Sequence, residues 1–336
     1  MHVPDNYLSP QTDAVAAVAM VGVWAHCAKV VRKQLDQKHL AFLGVAAAFS
    51  FLLMMFNVPL PGGTTGHAVG GTLVAVMLGP EAACIAVSVA LAVQAVVFGD
   101  GGILAFGVNC FNMAFVLPFV GYGIYLLIST RIPGEAGRRV GMAVGSYVGI
   151  NVAALCAAIE FGIQPALFHD ASGAALYCPY PLSVSIPAMM IPHLLVAGVV
   201  EAVSTVAIYS FVKSAAPEYL LAEDGSGEPR RSSLVPVAVL MAALVVLTPL
   251  GLLAEGDAWG EWDAETLGEL AGSVPAGIAD GFSFDALMPD YSLAGLPDAV
   301  GYMLSAVVGV ALLVIVFKLL SGLGKGQAQD GAAARA

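Results

Sequence analysis

The chain alternates long apolar stretches with short polar connections over most of its length. Eight stretches are long enough to cross the roughly 30 Å hydrocarbon core of a bilayer. They are 12–31, 40–58, 81–98, 108–129, 140–161, 187–212, 234–253 and 299–320. A ninth apolar stretch, 68–79, is short, begins among glycines and stops at the Gly79-Pro80 pair. The pattern predicts an all-α polytopic membrane protein.

The positions of the basic residues indicate whether the ninth stretch also crosses. If it does, all 13 Lys and Arg fall on one side of the membrane. If it does not, the first four basic residues lie opposite the other nine. Because cytoplasmic loops are enriched in Lys and Arg, we expect about nine transmembrane helices, with the N-terminus outside and the C-terminus cytoplasmic. The expected location is the plasma (inner) membrane.

Composition agrees with this class and suggests a division of the chain. Hydrophobic residues make up 59%, charged residues only 11%, and the mean hydropathy is +0.85, which excludes an ordinary soluble domain. We expect a seven-span unit over 1–213, a polar cytoplasmic linker over 214–233 and a two-span region over 234–326. The last two spans bracket an outer loop, 254–298, with ten Asp or Glu and no Lys or Arg. The tail 327–336 is interpreted as disordered.

The N-terminus itself is a candidate binding element. Residues 1–13 hold no Lys or Arg, so they do not resemble a cleavable signal peptide. His2 is too large for the usual removal of the initiator methionine. We therefore expect the mature chain to begin with a free amine at Met1, followed directly by His2.

An amine followed by histidine can chelate a metal ion. The Met1 amine and the His2 amide nitrogen would close a five-membered ring, and Nδ1 of His2 a six-membered ring, which leaves one planar position vacant. Tetragonal nitrogen sites suit Ni(II) and Cu(II), whereas Zn(II) prefers a tetrahedron. His67 lies on the same outer side, in "PLPGGTTGHAVGG" (59–71). The alternatives are a solvated terminal His2 and glycines that serve only close helix packing.

Three segments resemble a known family. "MHVPDNYLSP", "PLPGGTTGHAVGG" and "FGDGGILAFGVNCFNMAF" (98–115) are similar to the substrate-capture subunit of cobalt/nickel energy-coupling-factor transporters, the CbiM/NikM family. The resemblance implies a square-planar site for Co²⁺ or Ni²⁺ as the transported substrate, built by Met1, His2 and His67. It also implies a transmembrane coupling protein of the CbiQ/NikQ type and an ATPase pair of the CbiO/NikO type as partners.

The C-terminal third resembles the small accessory subunit of the same systems, of the CbiN/NikN type, here fused. No G-x-x-x-x-G-K-[ST] motif is present, so we expect a transport subunit rather than an enzyme, with ATP hydrolysis on other chains. A self-sufficient secondary transporter is the alternative; it would need intramembrane coupling carboxylates and inverted repeats. The lipid bilayer is an expected partner and nucleic acid is not.

Other polar residues have open assignments. Gln94, Asn109 and Asn112 are possible donors to a ligand imidazole, or they join helices through hydrogen bonds. His169 and His193 belong to the outer side, where they either attract metal or serve the surface and the packing. Glu201, deep in span seven, either pairs with a polar group or faces a partner. The sequence leaves cobalt and nickel equally open.

Overall fold

The computed structural model describes residues 1–221 and 233–333, with side chains up to residue 321. Most of the predicted linker (222–232) and the last three residues lie outside the described part. Within this described part, eight helical segments are long and apolar enough to cross a membrane. They are Pro10–Gln34, Gln37–Met54, Pro80–Phe98, Phe106–Ser129, Gly134–Leu167, Leu182–Ala215, Val235–Leu253 and Asp298–Ser321.

Several of these segments consist of shorter elements. The helices are α1 (Pro10–Gln34), α2 (Gln37–Met54), α3 (Gly71–Leu78), α4 (Pro80–Val93), α5 (Phe106–Asn109), α6 (Leu117–Ser129), α7 (Gly134–Gly162), α8 (Gln164–Leu167), α9 (Leu182–Pro192), α10 (Gly198–Ala215), α11 (Val235–Leu247), α12 (Ala264–Ala271), α13 (Ala276–Ala279) and α14 (Asp298–Ala333). Widened π turns at Gln94–Phe98, Cys110–Val116 and His193–Ala197 follow α4, α5 and α9. Strands β1 (Val58–Leu60) and β2 (Thr64–Gly66) form an antiparallel hairpin.

The ninth crossing contains a short helix and the irregular segment that precedes it. Helix α3 has eight residues, all of them buried, and is about 12 Å long at 1.5 Å per residue. The segment 67–70 joins it to the hairpin, and at its other end the carbonyl of Met77 accepts a hydrogen bond from Leu221, which follows α10. The prediction of an all-α polytopic protein with about nine spans is confirmed. Irregular backbone at membrane depth is tolerated where protein encloses it.

The two C-terminal spans pack closely against the N-terminal bundle. Helix α14 packs along α2. The two helices are so close at Gly44 that a Cβ at this position would lie only 2.9 Å from Cβ of Phe317. The hydroxyl of Tyr302 donates to the carbonyl of Met55. Small residues allow such close helix contacts in membranes. The helix continues to Ala333 and so extends into the tail that we interpreted as disordered.

The outer loop 254–298 folds over the outer end of the bundle. It contains α12, α13 and a 3₁₀ turn at Pro289–Tyr291. Trp259 contacts the rings of Phe161 and Tyr180, and the hydroxyl of Tyr7 donates to the carbonyl of Trp262. The loop therefore covers the segment that begins at residue 1.

Candidate metal centre

The first three residues are inserted into the protein. Relative exposure is 5% for Met1, 1% for His2 and 0% for Val3. Asn109 holds the segment on both sides: its Oδ1 accepts from the amide of Val3 at 2.7 Å and its Nδ2 donates to the Val3 carbonyl at 3.0 Å. The amide of Gly102 donates to the same carbonyl at 2.8 Å. These bonds fix the position of His2.

The turn before α5 is shaped to receive this segment. The Asp5 carboxylate accepts from the amides of Ile103 and Leu104 at 3.0 and 2.7 Å. A Cβ at Gly102 would lie only 2.4 Å from Oδ1 of Asp5, so the absence of a side chain is required there. The "FGDGG" and "MHVPD" segments thus fit each other directly.

A buried carboxylate positions the segment that carries His67. Glu201, with no exposed surface, accepts hydrogen bonds from the amide of Val69 at 2.7 Å and the amide of Gly70 at 3.0 Å. These amides lie at the N-terminus of α3, where helix N–H groups lack partners within the helix and attract negative charge. Gly70 has φ +74°, a conformation that glycine adopts readily. Glu201 therefore holds the backbone two residues after His67.

His2 and His67 meet beneath the outer surface. Their ring centres are 5.2 Å apart and their planes are nearly perpendicular. Two imidazoles that bind one ion through bonds of about 2 Å have ring centres roughly 4–6 Å apart. Both nitrogens of His2 are buried and have no hydrogen-bond partner among the described residues. The positive charge of the Met1 amine interacts with His67, so the amine lies near the same place.

The electrostatics of the two rings differ. The buried imidazole of His67 lies near the positive charge of the Met1 amine, which disfavours a further positive charge on this ring. Burial opposes charge on His2, but the facing Asp100 carboxylate outweighs burial and raises its pKa. Nδ1 of His2 is 2.9 Å from Oδ1 of Asp100. The two groups are close enough for an ion pair, but their orientation is not that of a hydrogen bond.

Asp100 in turn accepts hydrogen bonds from the N-terminal bundle and from the outer loop. Its Oδ2 accepts from Nε2 of Gln94 at 3.0 Å and, through a short contact, from the hydroxyl of Tyr291. Burial alone would raise the pKa of Asp100, but the charge and contact of His2 and the hydrogen bond from the Tyr291 hydroxyl lower it. Tyr291 has φ +57°, an uncommon conformation for a non-glycine residue that often accompanies functional sites.

The outer loop also contacts the first residue. The Met1 ammonium donates to Oε1 of Glu261 at 2.9 Å. Glu261 and Tyr291 both come from the last third of the chain. In the described residues, the site therefore combines two imidazoles and an amine from the first 67 residues with two outer-loop side chains.

Comparison with known proteins identifies the family. Residues 2–219 match the family described as the cobalt uptake substrate-specific transmembrane region, CbiM. The chain belongs to the CbiM family. Residues 233–325 of this CbiM-family chain match the PDGLE domain, which agrees with the expected fusion to a CbiN-like region.

Relatives with both regions cover nearly the whole chain. It is 49% identical over 328 residues to a probable fused nickel transport protein of Lactiplantibacillus plantarum, covering 95% of this chain and 97% of the relative. It is 47% identical to a fused nickel transport protein of Rhodobacter capsulatus, covering 96% and 98%. These names confirm the prediction of a multi-pass membrane transport protein rather than an enzyme.

A solved structure covers the N-terminal part. The crystal structure of a truncated transition metal transporter is 55% identical, with a TM-score of 0.60, and covers 64% of this chain and 99% of that chain. Over the part that the comparison covers, the chain thus shares its fold with a transporter that has been solved.

None of the three residues predicted as possible donors to a ligand imidazole, Gln94, Asn109 and Asn112, donates directly to His2 or His67 in the described structure. Asn109 contacts the backbone of Val3 rather than an imidazole, and Gln94 reaches His2 through Asp100. Asn112 takes part in another contact, in which its Nδ2 donates to Glu160 at 2.6 Å. His193 is buried, whereas His169 is exposed in the connection between α8 and α9.

Three residues of the site were not predicted: Asp100, Glu261 and Tyr291. Asp100 carried a signal, because it lies in the "FGDGG" segment that already resembles the family. Glu261 is one of ten similar carboxylates in its loop, and nothing in the local sequence separates it from the others. Tyr291 is separated from Asp100 by 191 positions, which no local pattern spans.

Proposed function

We propose that this protein captures Ni²⁺ or Co²⁺ on the outer face of the plasma membrane and delivers it inward. In this proposal it is the substrate-specific component of an ATP-driven energy-coupling-factor importer. The observation that carries the proposal is the convergence of the Met1 amine, His2 and His67 at one buried place. The one-sided distribution of Lys and Arg supports an outer location for that place.

The substrate ion would be held by four nitrogens: the Met1 amine, the His2 amide, Nδ1 of His2 and His67. In the present arrangement Nδ1 of His2 faces Asp100 at 2.9 Å. A half-turn of the ring would direct Nδ1 to the amine side and bring Nε2 toward Asp100. The carboxylate could then accept the Nε2 proton, which is the usual support for a metal-bound imidazole.

Nickel is the preferred substrate in this proposal. A planar set of nitrogen ligands suits Ni(II), and three relatives that cover at least 94% of the chain are named for nickel. Relatives named for cobalt share 28–30% identity over about half to two thirds of this chain. Cobalt is the second substrate to test.

An ATP-driven system is favoured over a self-sufficient secondary transporter. The alternative needs an intramembrane carboxylate that is free to exchange coupling ions. Both oxygens of Glu201 are occupied by the amides of Val69 and Gly70, which is a positioning role. The expected partners are a membrane coupling protein of the CbiQ/NikQ type and an ATPase pair of the CbiO/NikO type.

Calorimetric titration of the purified protein with Ni²⁺ and with Co²⁺ tests the site. We expect one ion per chain, tighter binding of Ni²⁺, and loss of binding in His2→Ala and in His67→Ala. His169→Ala changes an exposed histidine between α8 and α9; it is the control and should bind normally. Normal stoichiometry in His2→Ala would contradict the proposed site.

Uptake into proteoliposomes tests the coupling. We expect transport only when the coupling protein and the ATPase pair are present with ATP. Uptake by the purified chain alone, driven by an ion gradient, would favour the secondary transporter.

A further inference from the structure

His193 occupies an unusual position on the seventh span. It begins the π turn His193–Ala197 and follows Pro192 directly. Its side chain is only 6% exposed. Single π turns inside membrane helices often occur at functional sites, and a buried histidine in a span is expensive without a purpose.

The hydrogen bond of His193 determines which nitrogen is free. Nδ1 lies 2.7 Å from the carbonyl oxygen of Met189. A carbonyl only accepts, so Nδ1 carries the hydrogen, and in the neutral ring Nε2 keeps its lone pair. No described residue is a hydrogen-bond or ion-pair partner of Nε2. The side chain is thus oriented as a metal ligand is, with one nitrogen anchored to a carbonyl and the other available.

A small pocket lies beside this ring. His193 and Met189 line it on the α9 side, Thr65 on the hairpin side and Trp259 on the outer-loop side, and Met1 also borders it. The charge of the Met1 amine interacts electrostatically with His193. The pocket therefore joins the outer loop to the proposed metal ligand at residue 1.

We propose that Nε2 of His193 is a transient ligand, which takes the incoming ion in this pocket and passes it to the Met1 amine. This inference rests on the proposed function. One imidazole binds a divalent transition-metal ion weakly enough to release it, whereas the amine, amide and imidazole of residues 1 and 2 would chelate it. While the ion rests on His193, the amine can separate from Glu261, which holds it in the structure. Glu261 takes the ammonium proton as the amine separates from it, and the proton of the His2 amide leaves to water. Transfer is then an exchange of nitrogen ligands with no change of oxidation state.

The variant His193→Asn separates this role from packing. The asparagine amide reaches the position of Nδ1, so it can still donate to the Met189 carbonyl, but it has no atom in the place of Nε2. His193→Gln is the second variant. It places a side-chain amide, which is a poorer metal ligand than an imidazole nitrogen, near the position of Nε2. Stopped-flow mixing of each purified protein with Ni²⁺ gives the association and dissociation rates, and titration gives the dissociation constant.

In His193→Asn we expect both rates to fall by about tenfold, while the dissociation constant and stoichiometry stay unchanged. Loss of a ligand that is used only during transfer lowers the association rate and the dissociation rate by the same factor, so their ratio does not change. Unchanged rates in both variants would overturn the inference and leave the proposed function intact. Loss of stoichiometric binding in both would also overturn it, because His193 would then be a permanent ligand. His2→Ala serves as the reference for loss of the site itself. If one variant does not match the thermal unfolding midpoint of the parent, the other decides.

Discussion

The amine of Met1 donates to the carboxylate of Glu261 at 2.9 Å, across 260 positions of sequence. The first residue of the chain, next to the CbiM match that begins at His2, is thereby held by the loop of the PDGLE region. In the proposed site the same amine is a metal ligand, and a protonated, paired amine cannot bind a cation. Loading with metal therefore requires that the amine lose both its proton and its partner from the accessory region.

Removing the charge of Glu261 should strengthen equilibrium metal binding. The Met1 amine is buried and Glu261 is 20% exposed, so we take the pair to be worth about 1 kcal/mol, near the upper end for surface pairs. Glu261→Gln should lower the dissociation constant for Ni²⁺ about fivefold, measured by calorimetry. Glu265→Gln changes an exposed carboxylate of the same loop and should leave the constant unchanged. Weaker binding in Glu261→Gln would show that this carboxylate attracts or ligates the ion instead.

Glu201 should be essential for the position of His67. Its carboxylate receives the amides of Val69 and Gly70, and loss of buried hydrogen bonds to a carboxylate costs about 2–4 kcal/mol. Glu201→Ala should lower the thermal unfolding midpoint in detergent and abolish Ni²⁺ binding. Glu201→Gln keeps one acceptor oxygen and should have the smaller effect on both. Normal binding in Glu201→Ala would assign this carboxylate a role apart from the His67 segment.

Much of this architecture follows from local sequence. Apolar stretches of bilayer length and one-sided basic residues predict the spans, and they place His2 and His67 on the same side. Charge alone identifies the short stretch 68–79 as a crossing, and within this stretch the helix α3 begins at Gly71. The amides of Val69 and Gly70 just before this helix donate to Glu201, which lies in a span more than 120 residues away and which no local pattern connects to this stretch.

The contacts between the two halves of the chain are not predictable in the same way. Gln94 is recognisable as a polar residue in an apolar span, yet its partners are Asp100 and the hydroxyl of Tyr291. Only the folded outer loop brings that hydroxyl to Asp100. Glu261 likewise differs from its neighbours in the loop solely by its contact with Met1.

The remaining carboxylates of the outer loop should affect the rate of capture. Asp257, Glu265 and Glu269 are exposed, and a one-signed surface concentrates counter-ions at low salt. Replacing all three with the corresponding amides should slow Ni²⁺ association at low ionic strength and have little effect at 0.5 M salt, where the Debye length is only about 4 Å. Stopped-flow rates at the two salt concentrations check this. A slowing that is equal at both would indicate a direct binding role.

The sidedness of the spans can be tested by labelling single cysteines in intact cells. Asp285→Cys lies in the outer loop, and Thr130→Cys follows α6 on the proposed cytoplasmic side; both positions are exposed. An impermeant thiol reagent should label the first and not the second. The unmodified protein is the control, because four of its five cysteines are buried. Equal labelling at the two positions would reject the nine-span orientation.

The central claim is that the Met1 amine is a metal ligand, and a one-residue extension tests it most directly. Adding a glycine before Met1 converts the amine to an amide and places the new amine one residue farther from His67. All side chains of the site are preserved. The N-terminus of each preparation is verified by mass spectrometry, and Ni²⁺ uptake is measured in cells that express the partner proteins. We predict that the extended protein does not transport Ni²⁺. Normal uptake by a protein with a verified glycine extension would contradict the account, because a site built from the two imidazoles alone tolerates that residue.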